Sequence, residues 1–387
     1  MRLLRRSAPR NDYSSQPLSN PRSTLHAPRC QKWIEVDLDE LAENAKKIKK
    51  EAGAGVKFLA IVKSNAYGHG LETISRKLAN EKLCDALGVW SLAEAKRVLD
   101  ASLGRMPQVS VLTPALEPAE TLLPLIKKKT WLNLDRPELI KTYGQAAQKA
   151  KSRAQIFLDL DFGLGRWGCP PREALSLAKE ILNQKWLDLT GVSTHIDYVP
   201  GLHRTEAENK LKTFRATANA LEGLAQKKLI KTCANTSVFL DFPEWRLDMA
   251  RIGNLLYGIN PTKTPFPVKN IWSFKAKILM TKKIRQGETV GYGNEFLAAQ
   301  PMRIGSVAVG FGDGLTMEPA HNFIGLVSAR RYWAKAGTKE LAIIGRAGLG
   351  HALLDLTHAP ELQAGDIVEL PVRRTAASMD VPRIYKK

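Results

Sequence analysis

The chain has 387 residues, 44% of them hydrophobic, with 58 Lys and Arg against 38 Asp and Glu for a net charge of +20. That is enough chain for a large barrel plus a smaller domain with a real core, so disorder throughout is excluded, and no run approaches the ~20 apolar residues that cross a bilayer as a helix. The charge raises nucleic-acid binding as a function class. The lysines, however, fall in short clusters (KKIKK at 46–50, KKK at 127–129, QKKLIK at 226–231, TKKIR at 281–285) scattered along the chain without interleaved aromatics. They read as a solvated surface able to concentrate anionic ligands, and no nucleic acid or membrane partner is expected. Cys30, Cys84, Cys169 and Cys233 form no CxxC pair and no short His/Cys ligand spacing. Neither a disulfide framework nor a metal site is indicated, and a reducing cytoplasm fits.

In chain order, residues 1–31 hold six arginines, one acid and many Ser, Pro and Asn. They cannot bury enough apolar surface to order themselves and read as a basic tail or a start codon placed too early. The Arg-rich, acid-poor composition also resembles an organelle transit peptide, whereas the lack of an apolar core region disfavours a secretory signal. From Trp33 onward an amphipathic helical stretch, LDELAENAKKIKK, leads into eight short apolar or β-branched runs: VKFLAIV near 56, CDALGVW near 84, QVSVLT near 108, TWLNL near 130, AQIFLDL near 154, LDLTGVSTH near 187, KTCANTS near 231 and MARIGNLLYG near 249. Helical segments with acidic or proline starts separate them, among them SLAEAKRVL, LEPAETLLPLI, RPELIKTYGQAAQKA and CPPREALSLAKEIL. Eight strands alternating with helices predict an α/β fold, a (β/α)8 TIM barrel over 32–265. After 265 the texture changes to KAKILMTKKI, MRIGSVAVGF, IGLVSA, KELAIIG and DIVELPV, separated by Gly and polar turns, which predicts a C-terminal all-β domain over 266–387.

A TIM barrel gathers its working residues at the carboxyl ends of its strands. Lys63 closes the first run in AIVKSNAYGHG, Arg166 follows the fifth in DFGLGRWG, and His195 closes the sixth in STHIDY. Asn235 and Thr236 close the seventh, and Arg251 lies in the eighth. A mouth of Lys, His, two Arg, Asn and Thr without a carboxylate cluster suits amine chemistry on an anionic cofactor. Lysine can bond an aldehyde, and pyridoxal 5'-phosphate is the common partner for amino-acid substrates. The small and hydroxylated positions of ANTS and ARIGN would bind its phosphate. Taken singly, each residue has a plainer reading: Lys63 a surface lysine with a buried stem, His195 a core histidine, Arg166 and Arg251 ordinary ion pairs, Tyr292 a core residue of the β domain.

Seven motifs in order (AIVKSNAYGHG, DFGLGRWG, STHIDY, ANTS, RIGNLLYG, VGYG and GFGDG) resemble those of the alanine racemase family, fold-type III pyridoxal-phosphate enzymes, over nearly everything after residue 32. The resemblance implies that Lys63 holds the cofactor and acts as base on one face of the substrate Cα. Tyr292, supplied by the other subunit of a homodimer, would be the acid/base on the opposite face, with His195 and Arg251 assisting it as a relay. Arg251 would face the pyridine nitrogen. Tyr67, Thr236, Gly253 and Asn254 would contact the phosphate, and Arg166 would bind the substrate carboxylate.

The chain departs from the family at several points. Asp159 stands where many relatives carry a carbamylated lysine, and is expected to orient Arg166. Phe311 replaces a usual tyrosine, Leu349 and Gly350 replace Met-Asp at the substrate end, Asn294 stands where an arginine is common, and the usual phosphate-binding tyrosine near the C-terminus has no match. The function expected is interconversion of L-alanine and D-alanine for peptidoglycan. The alternatives are a racemase for another amino acid such as serine or lysine, a fold-type III decarboxylase, or a pyridoxal-phosphate-binding homeostasis protein. The retained Tyr292 argues against decarboxylation, and the β domain against the last.

Overall fold

In the computed structural model, which describes residues 30–101, 106–315 and 333–387, regular structure begins with strand β1 (Lys32–Asp37) and the helix Leu38–Ala52. The expected tail at 1–31, apart from its last two residues, and the expected strand IGLVSA lie outside the described residues. Asp37 caps the helix, its Oδ1 accepting from the backbone N–H groups of Asp39 at 3.1 Å and Glu40 at 2.9 Å. Acids fill the first turn and Lys49 and Lys50 the last, complementing the helix dipole. Leu38, Leu41, Ala45 and Ile48 form its buried stripe.

The eight apolar runs become eight parallel strands: β2 (Lys57–Ile61), β3 (Ala86–Val89), β4 (Gln108–Pro114), β5 (Trp131–Leu134), β6 (Ala154–Leu160), β7 (Leu187–Thr194), β8 (Ile230–Thr232) and β9 (Met249–Ile252). Each pairs with its sequence neighbour, and β9 returns to β2 in parallel register, Lys57 opposite Met249 and Leu59 opposite Arg251. The remaining gap between β8 and β9 is bridged by Asp248 N–H to Lys231 O at 3.2 Å and Arg251 N–H to Ala234 O at 2.8 Å. Inside, Leu59, Ile61, Ala86, Trp131, Phe157 and Met249 pack into a plug, the Trp131 and Phe157 rings 4.9 Å apart, so the barrel is filled below its mouth. KTCANTS is only partly strand: after Thr232 the chain leaves the sheet, and Asn235 caps the short helix Thr236–Asp241 with its side-chain oxygen on the Val238 N–H.

The second domain is all-β. It comprises β10 (Trp272–Ile284), the small hairpin β11 (Thr289–Val290) and β12 (Phe296–Leu297), then β13 (Met302–Val307), β14 (Trp333–Ala336), β15 (Lys339–Ile344), β16 (Ala352–Asp355), β17 (Ile367–Leu370) and β18 (Arg383–Lys386). The sheet runs β13-β16-β15-β14-β17-β10-β1-β18, and the thirteen-residue β10 also pairs with β13, closing six strands on themselves. The expected division at 32 places KWIEVD with the barrel; its ladder is instead with β10 (Ile34 opposite Phe274) and β18 (Ile34 opposite Arg383). The alternation Trp33, Ile34, Val36 buried against Glu35 and Asp37 partly exposed is a half-buried strand's pattern, too short to announce its partner.

Candidate active site

Lys63 follows β2 by two residues, at the carboxyl end of the barrel. Behind it Ser64, Asn65, Ala66 and Tyr67 all have φ of 53 to 54°, the left-handed region, which costs non-glycine residues about 1–2 kcal/mol each. The turn is held from several sides. Ala66 N–H donates to Val62 O at 2.8 Å, Asn65 N–H to Glu94 Oε1 at 3.2 Å, and Leu71 N–H to Asn65 Oδ1 at 2.9 Å. From the last strand, Arg383 Nε donates to Gly68 O at 3.0 Å and the Tyr385 hydroxyl to His69 O at 3.1 Å. Gly68 has φ +91°, and a Cβ there would sit 2.0 Å from Arg374 O, so only glycine lets the two backbones meet.

Lys63 opens into a cavity of about 490 Å³ that is also lined by Tyr67, Arg166, His195, Asn235, Thr236, Arg251, Gly253 and Asn254. Nine of the eleven expected site residues therefore share one space. Asn235 uses both ends of its amide locally, accepting from Val238 N–H and donating to Ile196 O at 3.0 Å, so it shapes the wall rather than offering a free group. Gly253 makes room for Tyr67: a Cβ on it would lie 2.6 Å from the tyrosine hydroxyl. Tyr292 and Leu349 do not line the cavity of their own chain. They lie in the β domain, 59% and 66% exposed, beside the equally exposed Phe311, and the Tyr292 ring rests 5.5 Å from that of His351. Tyr292 is thus no core residue.

The cavity holds three cationic side chains, Lys63, Arg166 and Arg251, against two acids in its lining, Asp159 and Asp197. Among the described residues neither Lys63, Arg166 nor Arg251 has an acid within 4.0 Å, so the reading of the arginines as ordinary ion pairs fails. Burial, then the Arg166 and Arg251 charges, pull the Lys63 amine from its ordinary 10.5 down to about 8. Burial and the charges of Arg251, Arg166 and Lys63 push His195 down to about 3, leaving a neutral imidazole at physiological pH. Arg251 is fixed by main chain: Nη1 donates to Thr232 O at 2.8 Å and Nη2 to Thr194 O.

Asp159 makes no ion pair with Arg166, although after burial it is the first charge acting on the guanidinium and favours its ionised form, so the expected pairing acts at a distance rather than by contact. Its Oδ1 accepts from Ser193 Oγ at 2.5 Å. Burial raises its carboxyl to about 6, against the opposing pull of Ser193 and then Arg251. Arg166 is held in direct contact by aromatic faces, its guanidinium 4.0 Å from the Trp167 centroid and 5.5 Å from that of Trp90. The sequence reading missed both tryptophans, although the strand-end rule that picks Lys63 picks Trp90, the residue after β3, as well. It also missed Ser193 and Asn133, which line the cavity and both act on the Asp159 carboxyl, and which carry no signal beyond their alternation in strands. Among the described residues no group of three His, Cys, Asp or Glu is placed to hold a metal.

A filled (β/α)8 barrel joined to an all-β domain, with a poised amine among guanidinium groups at its mouth, defines a two-domain barrel enzyme. The alanine racemase N-terminal domain family matches residues 36–261 and the alanine racemase C-terminal domain family residues 271–386. An alanine racemase of Syntrophobacter fumaroxidans is 30% identical over 345 residues, 87% of each chain, and one of Desulforamulus reducens is 28% identical over 377 residues, 91% of this chain and 98% of its own. The crystal structure of alanine racemase from Bartonella henselae with covalently bound pyridoxal phosphate superposes with a TM-score of 0.78 at 21% identity, covering 92% of this chain and 100% of that one. The chain belongs to the alanine racemase family of enzymes.

Proposed function

We propose that the protein is a pyridoxal 5'-phosphate-dependent racemase that interconverts L-alanine and D-alanine, supplying D-alanine for peptidoglycan, and that it works in the cytoplasm as a homodimer. The observation that carries this reading is the Lys63 amine, lowered to about 8 and set in a cavity with unpaired Arg166 and Arg251. At neutral pH a usable fraction of that amine is nucleophilic, and the surrounding positive charge favours an anionic aldehyde. The residues present fit such a cofactor: Tyr67, Thr236, Gly253 and Asn254 gather hydroxyls and small backbone positions in the same cavity for a phosphate. Arg251, its plane locked by the Thr194 and Thr232 carbonyls, can donate to a ring nitrogen without surrendering a proton.

The bound cofactor would supply the electron sink that makes the substrate Cα–H acidic. Racemisation further needs proton removal from one face of Cα and return to the other. Lys63 Nζ serves the first face. Tyr292 Oη serves the second, and its place outside its own chain's cavity supports delivery by a second copy. His195, neutral and flanked by Arg251, can accept a hydrogen bond and so support the tyrosine's acid/base cycle. Arg166 takes the substrate carboxylate. Exposed apolar Phe311 and Leu349, carried on the Tyr292 face, favour as a second reading the racemisation of an amino acid larger than alanine.

The test is D-amino-acid formation from a panel of L-amino acids by the purified protein with added cofactor, alongside Lys63→Ala and Tyr292→Phe. Activity on alanine lost in both variants supports the reading. Activity on a bulkier side chain alone moves it to the second, and carbon dioxide release without racemisation overturns both.

A further inference from the structure

The end of the cavity formed by Tyr67, Gly253 and Asn254 has a charge behind it that no acid among the described residues balances. Arg374, from the loop between β17 and β18, donates from Nη2 to Asn254 Oδ1 at 2.8 Å. Its guanidinium lies 5.5 Å from the Tyr67 ring centroid and 5.9 Å from that of Tyr257. Its Nε and Nη1 are shielded from solvent and have no hydrogen-bond partner among the described residues. It makes no ion pair with any described acid, and the neighbours that favour its charge are only the two tyrosines, Tyr257 and Tyr67. Close by, His69 is pushed down to about 3, chiefly by burial, with the charges of Arg374 and Arg383 adding to the effect. A buried guanidinium with two unspent nitrogens is costly unless an anion arrives to balance it. The residues in front of it, Tyr67 and Asn254, line the cavity while Arg374 stands behind them.

We propose that Arg374 is the counter-charge for the phosphate group of the ligand, acting as a positioning residue through Asn254 and Tyr67. This rests on the reading that a phosphorylated aldehyde occupies the cavity. Its Nη2 fixes the Asn254 amide, and its full charge favours a dianion at that end over an uncharged hydroxymethyl group. The charge, rather than the bulk, of the side chain is what the site uses.

The experiment compares equilibrium binding of pyridoxal 5'-phosphate and of pyridoxal, which lacks the phosphate, to the full-length apo protein by absorbance titration, for wild type, Arg374→Met and Arg374→Lys. Arg374→Met is expected to weaken the phosphorylated aldehyde by about tenfold or more, as for loss of a charge-assisted contact, and to leave pyridoxal unchanged. Arg374→Lys, which keeps the charge, is expected to stay within about threefold of wild type and guards against a folding defect in the Met variant. Equal weakening of both aldehydes, or no change in either, overturns the role of Arg374 while leaving the cofactor reading intact. A wild-type protein that binds neither aldehyde overturns both.

Discussion

The Lys63 amine sits over the Trp90 indole, 4.0 Å from the ring centroid, and Trp90 in turn meets Trp167 edge-on at 5.1 Å. Since Arg166 lies over Trp167 at 4.0 Å, one aromatic pair sets the places of two cations that otherwise repel each other. Trp167→Ala should therefore release Arg166 rather than Lys63. With a stacked guanidinium worth roughly 0.5–2 kcal/mol, the Michaelis constant for the amino acid should rise about three- to thirtyfold with a smaller change in kcat. Steady-state kinetics decide it, and a fall in kcat alone would remove Arg166 from the carboxylate role.

Covalent capture of pyridoxal 5'-phosphate by the apo protein should be half-maximal in rate near pH 8, where half of the Lys63 amine is neutral, instead of near 10.5. The same depression has a stability consequence. Between about 8 and 10.5 the unfolded chain binds this proton and the folded chain does not, so the Lys63 contribution to stability rises with pH across that window and is constant below it. Stopped-flow absorbance and thermal unfolding of wild type against Lys63→Met test both halves.

Asp159 behaves in the opposite sense. Its carboxyl, raised to about 6, is protonated in the folded chain over a range in which the unfolded chain has already ionised it. It therefore contributes stability as pH falls from about 6 towards 3.8 and opposes folding above 6, by something of order 2–3 kcal/mol. Asp159→Asn should raise the melting temperature at pH 7 by a few degrees and flatten its change between pH 4 and 6. A variant less stable than wild type at pH 7 would show that the ionised carboxylate is needed where it stands.

Tyr292→Phe should lower racemisation by at least about 100-fold while cofactor binding persists, because only proton delivery on one face is removed. Mixing Tyr292→Phe with Lys63→Ala chains and allowing exchange should restore activity, up to about a quarter of wild type, since half of the dimers then hold one complete site of two. No restoration would place both groups in one chain's site.

Much of this was legible in the sequence because it rests on local pattern. VKFLAIV and AQIFLDL are strands buried on both faces, their ends point to one rim, and Lys63, His195 and Arg251 follow from that rule. What escaped was set by pairing across long separations. The partners of β1 lie some 240 and 350 positions away, the stack of Arg166 on Trp167 depends on a loop's path, and Arg374 reaches Asn254 across 120 residues. The Asp159 expectation came from the family resemblance and named Arg166 alone; the hydrogen bond from Ser193 was not legible, because it depends on β6 and β7 running side by side.

The placement of β1 between β10 and β18 also orders the protein's assembly in time. At ~5–20 residues per second, the ribosome needs on the order of tens of seconds to pass from β1 to β10, during which KWIEVD waits without its ladder and the barrel strands can already close. Arg383 and Tyr385, which grip Gly68 and His69 beside Lys63, emerge after every barrel strand. A nascent chain can thus have a formed barrel and an unclamped lysine turn, and the site matures only after β18 has emerged and paired with β1.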